Sequence, residues 1–215
     1  MDLIRQMDIL SDEVLDARIN IIGLGGIGSF LALLLAKMGF RRLVLMDHDI
    51  VEEHNIPNQI YRPKDVGTAK VEALCDIIYE LTGIKAEGRN MRVEKERLTG
   101  IVTCAVDSMK DRKDIWMNSV RFKASVPLYI DTRMGGEVMR TYTIRPVDIG
   151  DVRFYERTLY SDQDSFNLPC TARAIAYSGF GIASIVGNQI KKFLMGEEFQ
   201  REIIFDFKTL TLTIN

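Results

Sequence analysis

The residues GLGGIG, from Gly23 to Gly28, stand between the apolar run Ile19, Ile21, Ile22 and the apolar stretch Phe30, Leu31, Leu33, Leu34, Leu35. A strand, a glycine turn and a helix in that order offer an anion the N–H groups at the helix start. Gly23 permits the tight turn, Gly25 lets backbone approach a phosphate, and Gly28 lets the helix pack close to the strand, with Gly26 inside the same turn. A second apolar run, Leu43 to Met46, ends at Asp47, where the second strand of such a unit presents an acid to a ribose hydroxyl. Together they predict a nucleotide site. Dehydrogenases, flavoproteins and ATP-binding folds share this pattern, and a close-packed turn without any ligand also satisfies it.

Three other residues could carry chemistry. Lys70 falls near a predicted helix start and Asp107 ends the apolar run Ile101 to Val106. From position alone a solvated lysine is the better account of Lys70, and a helix N-cap accounts for Asp107 as well as function does. Cys170 follows Pro169 at the predicted start of a late helix. There the helix dipole lowers a thiol's pKa and suits it to thioester or persulfide chemistry, with a small buried hydrophobe as the alternative. Cys75 and Cys104 lie within apolar patterns and read as core, His48 and His54 as loop residues, and Trp116 as packing.

The elements that must position these residues follow from periodicity. A short amphipathic helix is expected over Asp2 to Ala17, with Leu3, Met7, Ile9 and Leu10 as its packing residues. After the first strand, helices are expected at about Ile27 to Met38 and Thr68 to Leu81, the latter closed by Gly83, and strands at Arg41 to Met46 and Lys85 to Asn90. Asp47 to Gly67 is polar, holds Pro57 and Pro63, and reads as a long loop of the kind that is usually functional. Ile101 to Val106 is a fourth strand, followed by a helix carrying Ile115, Trp116, Ser119, Val120 and Phe122. Leu128 to Asp131 and Glu137 to Arg145 are a fifth and a sixth. Asp148 to Pro169 has few aliphatic residues and reads as a mobile crossing segment. Thr171 to Leu194 should be a buried helix, with Gly179, Gly181, Ala183 and Ser184 permitting close packing, and Glu202 to Phe207 with Thr209 to Ile214 a terminal hairpin. The expected fold is α/β, a doubly wound, Rossmann-like, mostly parallel sheet extended by antiparallel strands at its C-terminal end.

A chain of 215 residues reads here as one domain. Its 28 basic and 30 acidic residues leave a net charge near zero, which points away from nucleic acid and from anionic membrane surfaces. Ser29 to Phe40 and Ala174 to Val186 are too short or too glycine-rich to span a bilayer, and MDLIRQMD has neither a basic lead nor a cleavage site, so a cytoplasmic protein is expected. The three cysteines form no CxxC pair and the two histidines share one loop, so neither a four-ligand zinc site nor a disulfide framework is expected.

The run DHDIVEEHNIPNQIYRPKDVGTAK, Asp47 to Lys70, resembles the loop of the ThiF/MoeB/HesA family, the adenylating domain shared with ubiquitin-activating enzymes. Arg5 and Gln6 match an Arg-Gln pair ahead of the family's first strand, and CAVDSMKDR, Cys104 to Arg112, matches a strand end with an Asp and an Arg five residues on. Pro127 to Val138 resembles the strand, turn and strand that follow, and Cys170 opens the late glycine-rich helix as the family's cysteine often does.

The resemblance implies that Asp47 holds an ATP ribose, that Lys70, Asn55 and Gln59 belong to the nucleotide site, and that Asp107 binds magnesium. It also implies that Arg5 reaches the triphosphate of the partner subunit in a homodimer, and that Cys170 takes the acyl group. The implied reaction adenylates the C-terminal glycine of a ubiquitin-like or sulfur-carrier protein, giving an acyl adenylate and pyrophosphate. Two features depart from the family: Asn58 stands where the phosphate-binding Arg precedes Gln59, and the paired CxxC zinc motifs are missing. Three other readings remain at this stage. One is an inactive scaffold or heterodimer half, favoured by Asn58. Another is a nicotinamide or flavin oxidoreductase, which leaves Lys70, Asn55 and Gln59 unexplained. The third is a relative that adenylates a small molecule or an RNA nucleoside.

Overall fold

The computed structural model describes residues 2–160 and 175–215. Eight strands form one sheet: β1 (Arg18–Ile22), β2 (Arg42–Asp47), β3 (Glu87–Asn90), β4 (Ile101–Cys104), β5 (Tyr129–Gly135), β6 (Val138–Ile144), β7 (Glu202–Asp206) and β8 (Thr211–Ile214), in the order β3-β2-β1-β4-β5-β6-β7-β8. The first five of these strands run parallel, and the last three add antiparallel, so the expected fold is the one observed.

Alternation along each strand sends side chains to two layers. Ile19, Ile21, Leu43, Leu45 and Ile101 pack under α1 (Gly28–Lys37), α2 (Lys70–Thr82) and α5 (Ala176–Leu194). Ile22, Val44, Met46, Val102 and Cys104 face the opposite layer, built by α3 (Met109–Ile115), its π-helical continuation Trp116–Val120, and α4 (Ile149–Glu156). Trp116 anchors that layer in a ring cluster with Tyr129 and Tyr155, centroids 4.7 to 5.5 Å apart, so its expected packing role holds. Gly83 ends α2 in the left-handed conformation, φ 76°, its N–H bonded to the Tyr79 carbonyl.

Three local expectations are corrected. Instead of an amphipathic N-terminal helix the chain makes two short 3-10 turns, Ile4–Gln6 and Asp12–Val14. Leu10 is buried and Leu3 covers Gly39, but Met7 and Ile9 stay exposed, because so short a segment presents no continuous apolar face. The first part of the crossing segment is α4, which the Asp148 side chain caps by accepting from the Asp151 N–H, and which Val152 and Tyr155 fasten to the sheet. Phe122, expected on a helix, follows the π-helical turn with φ 54° and is exposed.

The candidate nucleotide site

Strand order reverses between β1 and β4, and there the carboxyl ends of neighbouring strands feed helices on opposite faces of the sheet. Ile22 is level with both Met46 and Cys104, so the turn after β1, Asp47 and the segment after β4 share one edge. The glycine turn is held by sterics. Gly23 has φ 84°, and a Cβ there would lie 2.8 Å from Ala105 backbone. A Cβ on Gly28 would lie 1.8 Å from the Gly23 carbonyl oxygen, so this glycine brings the helix against the turn itself more than against the strand. Nothing lies within 4 Å of the Cβ position at Gly25, which leaves the open side expected for a ligand. Among the described residues the N–H groups of Gly25, Gly26, Ile27 and Gly28 have no acceptor, while Ser29 N–H already donates to the Gly25 carbonyl.

Asp47 is buried and serves two backbone amides: Oδ2 accepts from Leu24 N–H at 2.6 Å and Oδ1 from Asp49 N–H at 2.9 Å. Each carboxylate oxygen keeps a further lone pair. Tyr61, absent from the sequence expectations, donates its hydroxyl to the Leu24 carbonyl at 2.9 Å. Burial, and then the charges of Asp47, Asp49 and Asp65, push that phenol's pKa upward, so it stays a donor. Asp49, also unanticipated, pairs with Lys70 at 2.9 Å. Burial raises the Asp49 carboxyl, but the hydrogen bond and charge of Lys70 outweigh it and hold the pKa below the usual value. Lys70 is buried at the first position of α2, its own N–H bonded to the Asp49 carbonyl. One hydrogen-bonded chain therefore links Lys70, Asp49, Asp47 and Leu24 of the glycine turn.

Asn55 is buried in a turn of the long loop, its Oδ1 accepting from Glu52 N–H. The amide oxygens of Asn58 and Gln59 are buried with no partner among the described residues. Arg62 does not stand in for the family Arg, because its guanidinium is bound to Asp65 and Glu80.

Asp107 is exposed after β4 and makes no hydrogen bond or ion pair among the described residues. The N-cap of α3 is its neighbour Ser108, whose Oγ accepts from Asp111 N–H at 3.2 Å, so the capping explanation of Asp107 falls. Arg112 is buried against Asp131 and donates to the Val106 carbonyl, fixing the residue just before Asp107. Arg133 shares Asp131 at 2.8 Å and reaches Thr158 beyond α4. Asp131 and Arg133 gave no signal in the sequence, since an acid at a strand end and an Arg two residues later are common.

Close packing at Gly179 joins α5 to the site: a Cβ there would lie 2.3 Å from the Gly26 carbonyl oxygen. Arg5 is exposed on the first 3-10 turn, held near α1 by Gln6, which donates to the Met38 carbonyl. Cys170 lies outside the described residues. Among these, the one group of three potential metal ligands is Asp47, His48 and Asp49, and two of its carboxylates are already engaged as above. No helix among them is long and apolar enough to cross a membrane.

An open α/β sheet with a glycine turn, acid and lysine joined at its switch point defines a class of fold rather than one protein. The ThiF family pattern matches residues 5–213, and the chain belongs to that family. It is 27% identical over 222 residues to ubiquitin-like modifier-activating enzyme 5 of Caenorhabditis elegans, covering 89% of this chain and 51% of the relative. It is 30% identical over 112 residues to the NEDD8-activating enzyme E1 catalytic subunit of the same organism, covering 49% and 26%. Among solved structures it superposes on PaaA with TM-score 0.77 at 20% identity, covering 97% of this chain and 66% of that one. On Escherichia coli MccB with ATP the TM-score is 0.72 at 15% identity, with the same coverage. The chain thus spans about half or less of these curated relatives.

Proposed function

We propose that this protein adenylates a carboxylate with ATP. The observation that carries the reading is the hydrogen-bonded chain from Leu24 through Asp47 and Asp49 to Lys70, beside N–H groups with no acceptor among the described residues. Membership of the ThiF family and the fold shared with an ATP complex of MccB support it over a dinucleotide oxidoreductase.

In this reading the free N–H groups of the glycine turn and α1 hold the phosphates, and Asp47 accepts from the ribose with the lone pairs the backbone leaves. Asn55 and Gln59 border the phosphates, and Lys70 exchanges Asp49 for them. A carboxylate oxygen attacks the α-phosphorus, the bond to the bridging oxygen of the β-phosphate breaks, and pyrophosphate leaves with that electron pair. The nucleophile is already an anion, so the site supplies positive charge and alignment and needs no base. Asp107 suits magnesium, as a hard oxygen donor that does not cap α3 and pairs with none of the described residues. The ion would neutralise phosphate charge when bound.

The acyl donor is the glycine tail of a ubiquitin-like or sulfur-carrier protein, the Cys170 thiolate attacks the adenylate's acyl carbon to form a thioester as AMP leaves, and the protein works as a cytoplasmic homodimer in which Arg5 reaches the partner's triphosphate. The relatives named as modifier-activating enzymes support this acyl donor. One observation favours a second reading, a weak or inactive heterodimer half: Asn58 replaces the family Arg, and Arg62 is bound to Asp65 and Glu80.

Calorimetry with magnesium-ATP, NAD, NADP and FAD separates these. Selective ATP binding that is lost in Lys70→Ala supports adenylation. Preference for a dinucleotide overturns it, and no binding at all favours the inactive half.

A further inference from the structure

At the opposite edge of the sheet, the segments leading into β4 and β5 line a cavity of about 420 Å³ that is open to solvent on one side. Both strands run parallel to β1, so this edge holds their amino ends and lies away from the glycine turn. Its volume falls in the range of small-molecule sites, which is roughly 300 to 1,000 Å³. Three cations line it, Lys95, Arg97 and Lys123. Their charged groups make no hydrogen bond or ion pair among the described residues. The acid between the first two, Glu96, also lines the cavity, with its Oε2 engaged by the N–H groups of Glu94 at 2.8 Å and Lys95 at 3.0 Å.

The cavity also has a buried polar wall. Ser119 lines it, is 1% exposed, and its hydroxyl has no partner among the described residues. A hydroxyl desolvated without a hydrogen bond loses stability that a bound acceptor would restore. Ser119 lies in the π-helical turn Trp116–Val120, and three residues on Phe122 lines the same cavity with φ 54°. Such interruptions and left-handed side-chain-bearing residues concentrate at functional sites. Arg121 stacks on the Phe122 ring at 4.5 Å and pairs with Glu156, which holds the ring in place. Ser125 Oγ donates to the Leu98 carbonyl at 2.8 Å and Gly100 N–H to the Ser125 carbonyl, so the two walls are already joined.

We infer that this cavity is a second ligand site, for a small phosphate monoester with a planar body. The phosphate meets Lys95, Arg97 and Lys123 and accepts from the Ser119 hydroxyl, and the planar body lies against Phe122. Nothing in the adenylation reading uses these residues, so the two stand or fall separately.

Phenyl phosphate is the probe, titrated into the full chain and followed by amide NMR shifts and calorimetry. Saturable shifts at residues 95–98 and 118–125, with an affinity about tenfold weaker in Arg97→Ala or Lys123→Ala, are expected, since each removes one charge-assisted contact. Ser119→Ala should weaken binding while leaving the melting temperature unchanged or higher, because it removes an unsatisfied hydroxyl. Unaltered affinity in the Arg97→Ala/Lys123→Ala double variant, or shifts confined to the glycine turn and α2, would overturn the site. Inorganic phosphate binding as tightly as phenyl phosphate would overturn the planar body.

Discussion

Asp107 and Ser108 divide two tasks that the sequence left open to one residue. Ser108 caps α3, and the Asp107 carboxylate makes no hydrogen bond or ion pair among the described residues. Ser108→Ala should therefore cost about 1 kcal/mol of unfolding free energy, the usual worth of an N-cap, read by urea denaturation. Asp107→Ala should leave that stability within about 0.5 kcal/mol, as surface changes do, and cut ATP–pyrophosphate exchange by roughly a hundredfold. Full exchange in Asp107→Ala would remove the magnesium assignment. Lys70 and Asp49 form the other informative pair, since in the proposed reading a phosphate competes with Asp49 for the ammonium. Asp49→Asn should tighten magnesium-ATP binding a few-fold in calorimetry, and weaker binding would show that Asp49 itself holds the nucleotide.

Among the elements, α5 governs the glycine turn most directly. It approaches α1 and the turn because Gly179 and Gly187 carry no side chain, and Gly187 faces Leu34 and Met38. The Cβ added by Gly179→Ala would meet the Gly26 carbonyl and the Phe30 ring, neither of which is the free end of a flexible chain. The expected loss is about 1 to 3 kcal/mol, the range for overpacking a filled core, with weaker ATP binding as the turn shifts. Denaturation and calorimetry on the same variant check both; unchanged affinity would show that the turn is indifferent to α5. On the other face, Asp131 holds Arg112 and Arg133 together, linking the carbonyl before Asp107 to the end of α4. Removing the buried Asp131 would leave two guanidinium groups without their shared counter-charge, a change that is severe in buried pairs.

For the molecule as a whole, acid is the informative perturbation. Asp49 and Asp65 are raised by burial but brought below the usual carboxyl range by Lys70 and Arg62, and Glu87 is brought below it by its Arg89 hydrogen bond. Carboxyls whose pKa is lower folded than unfolded contribute stability that is fully present above the unfolded value, about 4. It is lost as pH falls through the lower folded values. Stability should thus hold between pH 5 and 7, to within about 1 kcal/mol, and drop below about pH 4. A melting temperature that falls already at pH 6 would contradict this. Assembly is tested at the same scale: if Arg5 works across an interface, dilution to monomer should abolish exchange, and a fully active monomer would refute that role.

The sequence by itself determined the succession of the eight strands and of α1, α2, α3 and α5, because apolar period and glycine placement are local signals. It also determined the residues that share one sheet edge, because strand ends in a parallel sheet lie together whatever the side chains do. The places of Gly23, Gly28, Asp47 and Asp107 at that edge were legible in that way, whereas Lys70, at the start of α2, stood out only through the resemblance of its loop to the ThiF family. Only the tertiary structure decided what each atom does. Asp47 clamps Leu24, Asp49 holds Lys70, Tyr61 closes the turn, and Arg62 is bound elsewhere; each is a contact between residues whose nearest signals in the chain are unrelated. The α4 helix was missed because its few aliphatic residues give a weak period, and its stability comes from Tyr155 and Val152 meeting the sheet. Spacing along a chain reports backbone geometry, whereas partner choice among hydrogen-bonding groups is settled by burial, which exists only after folding.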